Sequence, residues 1–166
     1  MNPINPVDSM SSSTDQLTFL ALGDSYTIGE SVQEKDRWPV QLVDTLNALG
    51  QGFEDPVIIA RTGWRTDELI RAIELEDPQP AFDMVSLLIG VNNQYQGRPI
   101  DQYREEFNTL LNTAVILAGN RIENVLVVSI PDYGYTSFGE PNQATISEEL
   151  AEYNAINKEM TESVGI

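Results

Sequence analysis

Three residues have the types and spacing for acyl-transfer chemistry: Ser25, Gly63 and Asn92. A serine hydroxyl at a helix start can act as a nucleophile, and the helix's positive end favours negative charge developing beside it. A tetrahedral oxyanion needs donors that are already in place. A glycine amide lets substrate approach closely, and an asparagine side-chain NH₂ adds a second, neutral donor. One oxyanion donor is typically worth roughly 3–4 kcal/mol of barrier. Each residue also has a plainer reading. Ser25 could cap a helix, Gly63 could serve a turn, and Asn92-Asn93 could form a left-handed turn. What argues for chemistry is their order, each standing just after an apolar run.

Four such runs punctuate the chain, at residues 17–22, 57–60, 84–89 and 125–130. All are nearly continuous rather than alternating, the pattern of strands covered on both faces. Between them apolar residues recur at helical spacing. The stripes are Leu42, Val43, Leu46 and Leu49, begun near Trp38-Pro39; then Leu69, Ile70 and Ile73; then Tyr103, Phe107, Leu110, Leu111, Ala114 and Leu117; and last Ile146, Leu150, Tyr153 and Met160. Strand–helix alternation predicts βαβ units with right-handed crossovers, hence a parallel sheet in a three-layer α/β/α sandwich of flavodoxin-like order, too short for a closed barrel. Ligands of such sheets bind beyond the carboxyl ends of the strands. The informative loops are therefore residues 23–30, 61–64, 90–94 and 131–135.

Composition narrows the chemistry further. The 166 residues carry 26 acidic and 9 basic side chains, a formal charge of −17, which disfavours nucleic acid and anionic membrane surfaces as partners. There is no cysteine and no histidine, so disulfides, ordinary zinc sites and Ser-His or Cys-His pairs are all excluded within these residues. No metal or other cofactor is expected. Residues 1–16 are polar and carry no Lys, Arg or apolar run, so they read as a flexible tail rather than a secretory signal, ahead of one domain over 17–166. A cytoplasmic location is the default expectation, with export of a mature form left open.

Gly23-Asp24-Ser25-Tyr26 after an N-terminal apolar strand resembles the first block of the GDSL, or SGNH, hydrolase family. Gly63 falls where that family's second block keeps an oxyanion glycine. Gly90-Val91-Asn92-Asn93 resembles the third block, usually Gly-x-Asn-Asp. The resemblance implies ester hydrolysis of a small acyl ester or acylated sugar. Ser25 is then the nucleophile, its own amide, the Gly63 amide and the Asn92 side chain hold the oxyanion, and Asp24 hydrogen-bonds within the strand–helix turn. Asn93 departs from the family's Asp. The family's last block, Asp-x-x-His, supplies the base and follows a fifth strand; neither is found here. Ser163-Val164-Gly165-Ile166 reads as a helix end, with Gly165 in a left-handed turn. The expectation is a chain that stops before its catalytic base and is nearly inactive as it stands. The fourth strand is expected to lose covering at residues 125–128. The rival reading is a non-catalytic ligand- or carbohydrate-binding domain of the same fold.

The remaining features weigh less. Lys35 and Lys158, the only lysines, fall outside the strand-end loops, so a Ser-Lys pair is not expected. Residues 23–29 resemble a phosphate loop only loosely, with Glu30 where a lysine is required. Glu74, Glu76 and Asp77, like Glu148, Glu149 and Glu152, read as solvated faces. Trp64, Gln94, Tyr95, Tyr133 and Tyr135 are candidates for a substrate wall, the tyrosines at 133 and 135 in a long loop that also carries Phe138.

Overall fold

A computed structural model describes residues 16–166; the tail expected over residues 1–16 lies outside it, Gln16 excepted. In chain order the main elements are β1 (Phe19–Gly23), α1 (Ser25–Ile28), α2 (Trp38–Ala48), β2 (Val57–Ala60), α3 (Thr66–Glu76), β3 (Met84–Leu88), α4 (Val91–Tyr95), α5 (Ile100–Leu117), β4 (Val125–Val127) and α6 (Gln143–Ser163). The strands form one parallel sheet in the order β2-β1-β3-β4.

Strand β1 shows why its run is continuous. Successive side chains point to opposite faces, and both faces are covered. Phe19 and Ala21 pack with Val43 and Phe53 on the α2 side. Leu20 and Leu22 join the larger cluster, which takes Leu69 and Ile73 from α3, Phe107 and Leu111 from α5, and Ile146 and Leu150 from α6. The α5 stripe is buried as its spacing predicts, every one of the six residues included. The α2 stripe is shorter than expected. Leu49 is 72 % exposed because the helix ends at Ala48, leaving Leu49 as its C-terminal cap rather than a helical position facing the sheet.

Strand β4 also departs from expectation. It ends at Val127, and Val128 makes one last bond to the Leu87 carbonyl. Beyond that the chain leaves the sheet, because Asn154 of α6 captures the Ile130 backbone: Ile130 N donates to Asn154 Oδ1 at 2.8 Å, and Asn154 Nδ2 donates to the Ile130 carbonyl at 3.0 Å. Val125 is buried, contrary to the loss of covering expected over 125–128, because it joins the cluster that α3, α5 and α6 build on one face; Leu126, on the other face, is 44 % exposed. The Asn154 clasp aims residues 131–142 at the strand-end edge. Asn154→Ala should lower stability by roughly 1–3 kcal/mol, since it leaves a buried amide and carbonyl without partners. Urea unfolding would register this as a lower midpoint with unchanged slope; an unchanged midpoint would show that the clasp is dispensable.

Among the described residues no helix is long and apolar enough to cross a membrane.

Candidate active site

The site begins with a close approach. A Cβ on Gly23 would lie 2.6 Å from the Leu88 carbonyl oxygen and collide with the Thr27 side chain, so only glycine lets α1 fold back onto the ends of β1 and β3. Asp24 then caps α1: its Oδ1 accepts from Tyr26 N at 3.0 Å. This is the turn-holding role expected of Asp24, and it disposes of helix capping by Ser25. Ser25 is the first residue inside the helix, half-buried, and among the described residues no side chain hydrogen-bonds to its Oγ. Because α1 is only four residues long, its dipole adds less at Ser25 than a full helix would.

Asp24 is 1 % exposed, and Oδ2 has no partner. Burial pushes its carboxyl up to about 7 from an ordinary 3.8, against the opposing pull of the backbone N–H groups of Tyr26, Asp24 itself and Gly90. Burial also raises the Tyr26 phenol, with the neighbouring Asp24 charge adding to it.

Asn92 comes to the same edge by a different route. Gly90, at φ 129°, turns the chain out of β3 in a conformation closed to other residues, and α4 follows directly. That short helix was missed in the sequence, where residues 90–94 read as loop. Asn92 Nδ2 donates to the Trp64 carbonyl at 2.8 Å. One amide proton is thus used to hold the 61–64 loop, and the second remains for the cleft. Gly63 sits in that loop at φ 85°, next to the residue Asn92 holds, with open space where a Cβ would stand.

Ser25, Tyr26, Val91, Asn92, Tyr95, Tyr133 and Phe138 line one cleft of about 210 Å³. The structure therefore brings Ser25 and Asn92 together, with Gly63 held beside them through Trp64 rather than in the lining itself. Of the wall candidates, Tyr95 and Tyr133 line the cleft and form a triangle with Phe138, ring centroids 6.1–6.3 Å apart. Gln94 stands behind it. Its Oε1 accepts from the Tyr133 hydroxyl at 3.0 Å, and its Nε2 donates to Glu149 at 2.6 Å. Glu149 is exposed but belongs to this brace, which the solvated-face reading did not foresee. Trp64 is half-buried against the main core, and Tyr135 is 80 % exposed and outside the lining.

Asn93 is 1 % exposed and bonded to Thr66, whose hydroxyl in turn meets Glu106. Neither Thr66 nor Glu106 carried a signal in the sequence, since they meet only because α3 and α5 pack side by side. Lys35 is exposed, and Lys158 pairs with Glu162 at 3.7 Å on α6. Glu74, Glu76 and Asp77 are exposed, as expected. Among the described residues no group of three His, Cys, Asp or Glu side chains could hold a metal ion.

The same architecture occurs in solved esterases. AlinE4, an SGNH-hydrolase family esterase, is 19 % identical with a TM-score of 0.60, over 87 % of this chain and 75 % of its own. Axe2, an acetylxylan esterase from Geobacillus stearothermophilus, is 18 % identical with a TM-score of 0.64, over 89 % and 72 %. The psychrotrophic esterase EstA from Pseudoalteromonas sp., solved inhibited by monoethylphosphonate, is 18 % identical with a TM-score of 0.55, over 88 % and 72 %. No curated protein matches this sequence. At these identities the likeness is one of fold. The sequence itself carries the relationship further: the pattern of the GDSL-like lipase/acylhydrolase family matches residues 21–166, spanning the Ser25, Gly63 and Asn92 loops alike, and the chain belongs to that family.

Proposed function

We propose that this chain is a serine ester hydrolase for a small acyl ester or acylated carbohydrate. Ser25 is the nucleophile, and the Ser25 amide, the Gly63 amide and the Asn92 side chain surround the oxyanion. The observation that carries this is the cleft shared by Ser25 and Asn92, in which Asp24 has taken over the capping role and left the serine hydroxyl uncommitted. Ser25 Oγ attacks the ester carbonyl, the carbonyl oxygen gains negative charge against the three donors, and the alcohol leaves as the acyl-serine forms. Water then releases the acid. A cleft of about 210 Å³ is smaller than pockets that enclose drug-sized ligands, so it suits a short acyl group, with the aromatic triangle beside the alcohol portion.

Attack requires a base for the Ser25 proton. The 166 residues include no histidine, so turnover by these residues alone is held to the level that binding and the oxyanion donors supply, on the order of 10³–10⁴ over water. The same absence favours the second reading, a binding domain in which the triangle of Tyr95, Tyr133 and Phe138 receives a sugar face.

Labelling with a fluorophosphonate in the presence of imidazole, which supplies the base that the chain's own residues lack, separates the two, because it needs the nucleophile and oxyanion donors but no acyl turnover. A single adduct on the Ser25 peptide, read by mass spectrometry, is the expected result. Asn92→Ala should slow its formation by roughly 10²–10³-fold through loss of one donor. No adduct, or one elsewhere in the chain, would leave only the binding reading.

A further inference from the structure

Two consecutive asparagines at the start of α4 grip the chain that follows Gly63, and only the first has a part in the chemistry proposed above. Asn92 holds the Trp64 carbonyl. Asn93 holds Thr66, two residues on, by a two-point bond: Thr66 N donates to Asn93 Oδ1 at 3.1 Å, and Asn93 Nδ2 donates to Thr66 Oγ1 at 2.6 Å. Both side chains are sealed from water, Thr66 at 0 % and Asn93 at 1 % exposure. Behind them the Thr66 hydroxyl donates to Glu106 Oε2 on α5, whose Oε1 accepts from Gln102 Nε2 at 2.7 Å.

These bonds run in one direction. A threonine hydroxyl has one proton, and here Glu106 takes it. Thr66 Oγ1 can then only accept from position 93, so position 93 must donate. Asparagine can do so while its other atom accepts from Thr66 N; an ionised aspartate has no proton to give. We propose that Asn93 is a positioning residue that fixes α4 against the segment after Gly63, and that Glu106, acting through Thr66, dictates its identity as an amide. What the positioned loops do rests on the ester-hydrolase reading; the direction of the hydrogen bonds does not.

The consequence is a swap. Asn93→Asp alone sets two carboxylates against one hydroxyl proton in a buried site, which costs a bond and adds like-charge repulsion. Glu106→Gln added to it restores every bond with the direction reversed. The amide nitrogen now at position 106 donates to Thr66 Oγ1, and the amide oxygen beside it accepts from Gln102. The Thr66 hydroxyl turns its proton to the carboxylate now at position 93. The double variant has the same net charge as the natural chain.

The experiment compares the full chain with Asn93→Asp, Glu106→Gln and the double variant, using thermal midpoint and, at a fixed concentration of added imidazole, the rate of fluorophosphonate labelling per folded molecule. Asn93→Asp should lower the midpoint by several degrees and slow labelling roughly tenfold or more, because small displacements of reacting groups carry large rate effects. The double variant should return to within about threefold of the natural rate and recover most of the midpoint, a coupling that independent effects cannot produce. If Asn93→Asp fails to fold, recovery of folded protein in the double variant is the same rescue. A double variant no better than its singles combined, or an Asn93→Asp variant that behaves as the natural chain, overturns the proposal. If the natural chain takes no label at all, the nucleophile assignment fails while the midpoints still decide the swap.

Discussion

Free imidazole is expected to switch on hydrolysis of p-nitrophenyl acetate by this chain, saturably, and Ser25→Ala is expected to erase that gain completely. In the proposed reading Ser25 is the nucleophile in a small cleft shared with Asn92, and the 166 residues include no histidine to take its proton. A positioned general base contributes typically 10²–10⁴-fold. A diffusible one lacks the positioning, so on the order of 10²-fold at saturation is the expected gain. Ser25 is half-buried with an uncommitted hydroxyl, which leaves room for the base on the solvent side of the cleft. Imidazole also attacks the ester directly in solution, and the Ser25→Ala chain measures that background, since its fold is otherwise untouched. Dependence on imidazole that stays linear and equal in both proteins would mean that Ser25 does not react.

The fold was legible where burial imposes a pattern on a long enough run. Strands β1 and β3 lie under covered faces, and their apolar runs match the observed elements closely; the β2 run matches too, although as an edge strand only Ile59 of it is buried and Val57 is exposed. The fourth run misled because Ile130 is apolar for another reason: it is buried after the chain has left the sheet beyond Val128, drawn off by Asn154. Helix α4, at five residues, is shorter than two helical turns and so has no period to read. That Ser25 and Asn92 would share one cleft was legible because a parallel sheet delivers all its strand ends to one edge. The supports behind them were not. Glu149 reaches Gln94 across 55 residues and Glu106 reaches Thr66 across 40, and nothing local marks either partner. Tyr133 and Tyr135 looked equivalent in sequence, yet they sit in one tight turn that sends the first to the cleft and the second to solvent.

Asp24 carries the other large effect, and it is one of pH. In the folded chain its carboxyl titrates near 7, against an ordinary 3.8, because burial penalises the charged form. Between those values the folded state holds a proton that the unfolded state releases, so stability falls as pH rises and levels off above about 7. The whole interval is worth roughly 4 kcal/mol, and the part between pH 5 and 8 roughly 2.5 kcal/mol. Asp24→Asn keeps an oxygen to accept from Tyr26 N and removes the titration. Its amide places two donors where Oδ2 now has no partner, a constant cost that does not vary with pH. The variant should therefore gain on the natural chain as pH rises, its unfolding free energy improving relative to it by roughly 2.5 kcal/mol from pH 5 to pH 8. The comparison cancels the general self-repulsion of a chain with a charge of −17, which both proteins share apart from this one group. Parallel stability curves over that range would place the Asp24 carboxyl back among ordinary carboxylates and overturn the view that the residue before Ser25 is held neutral by burial.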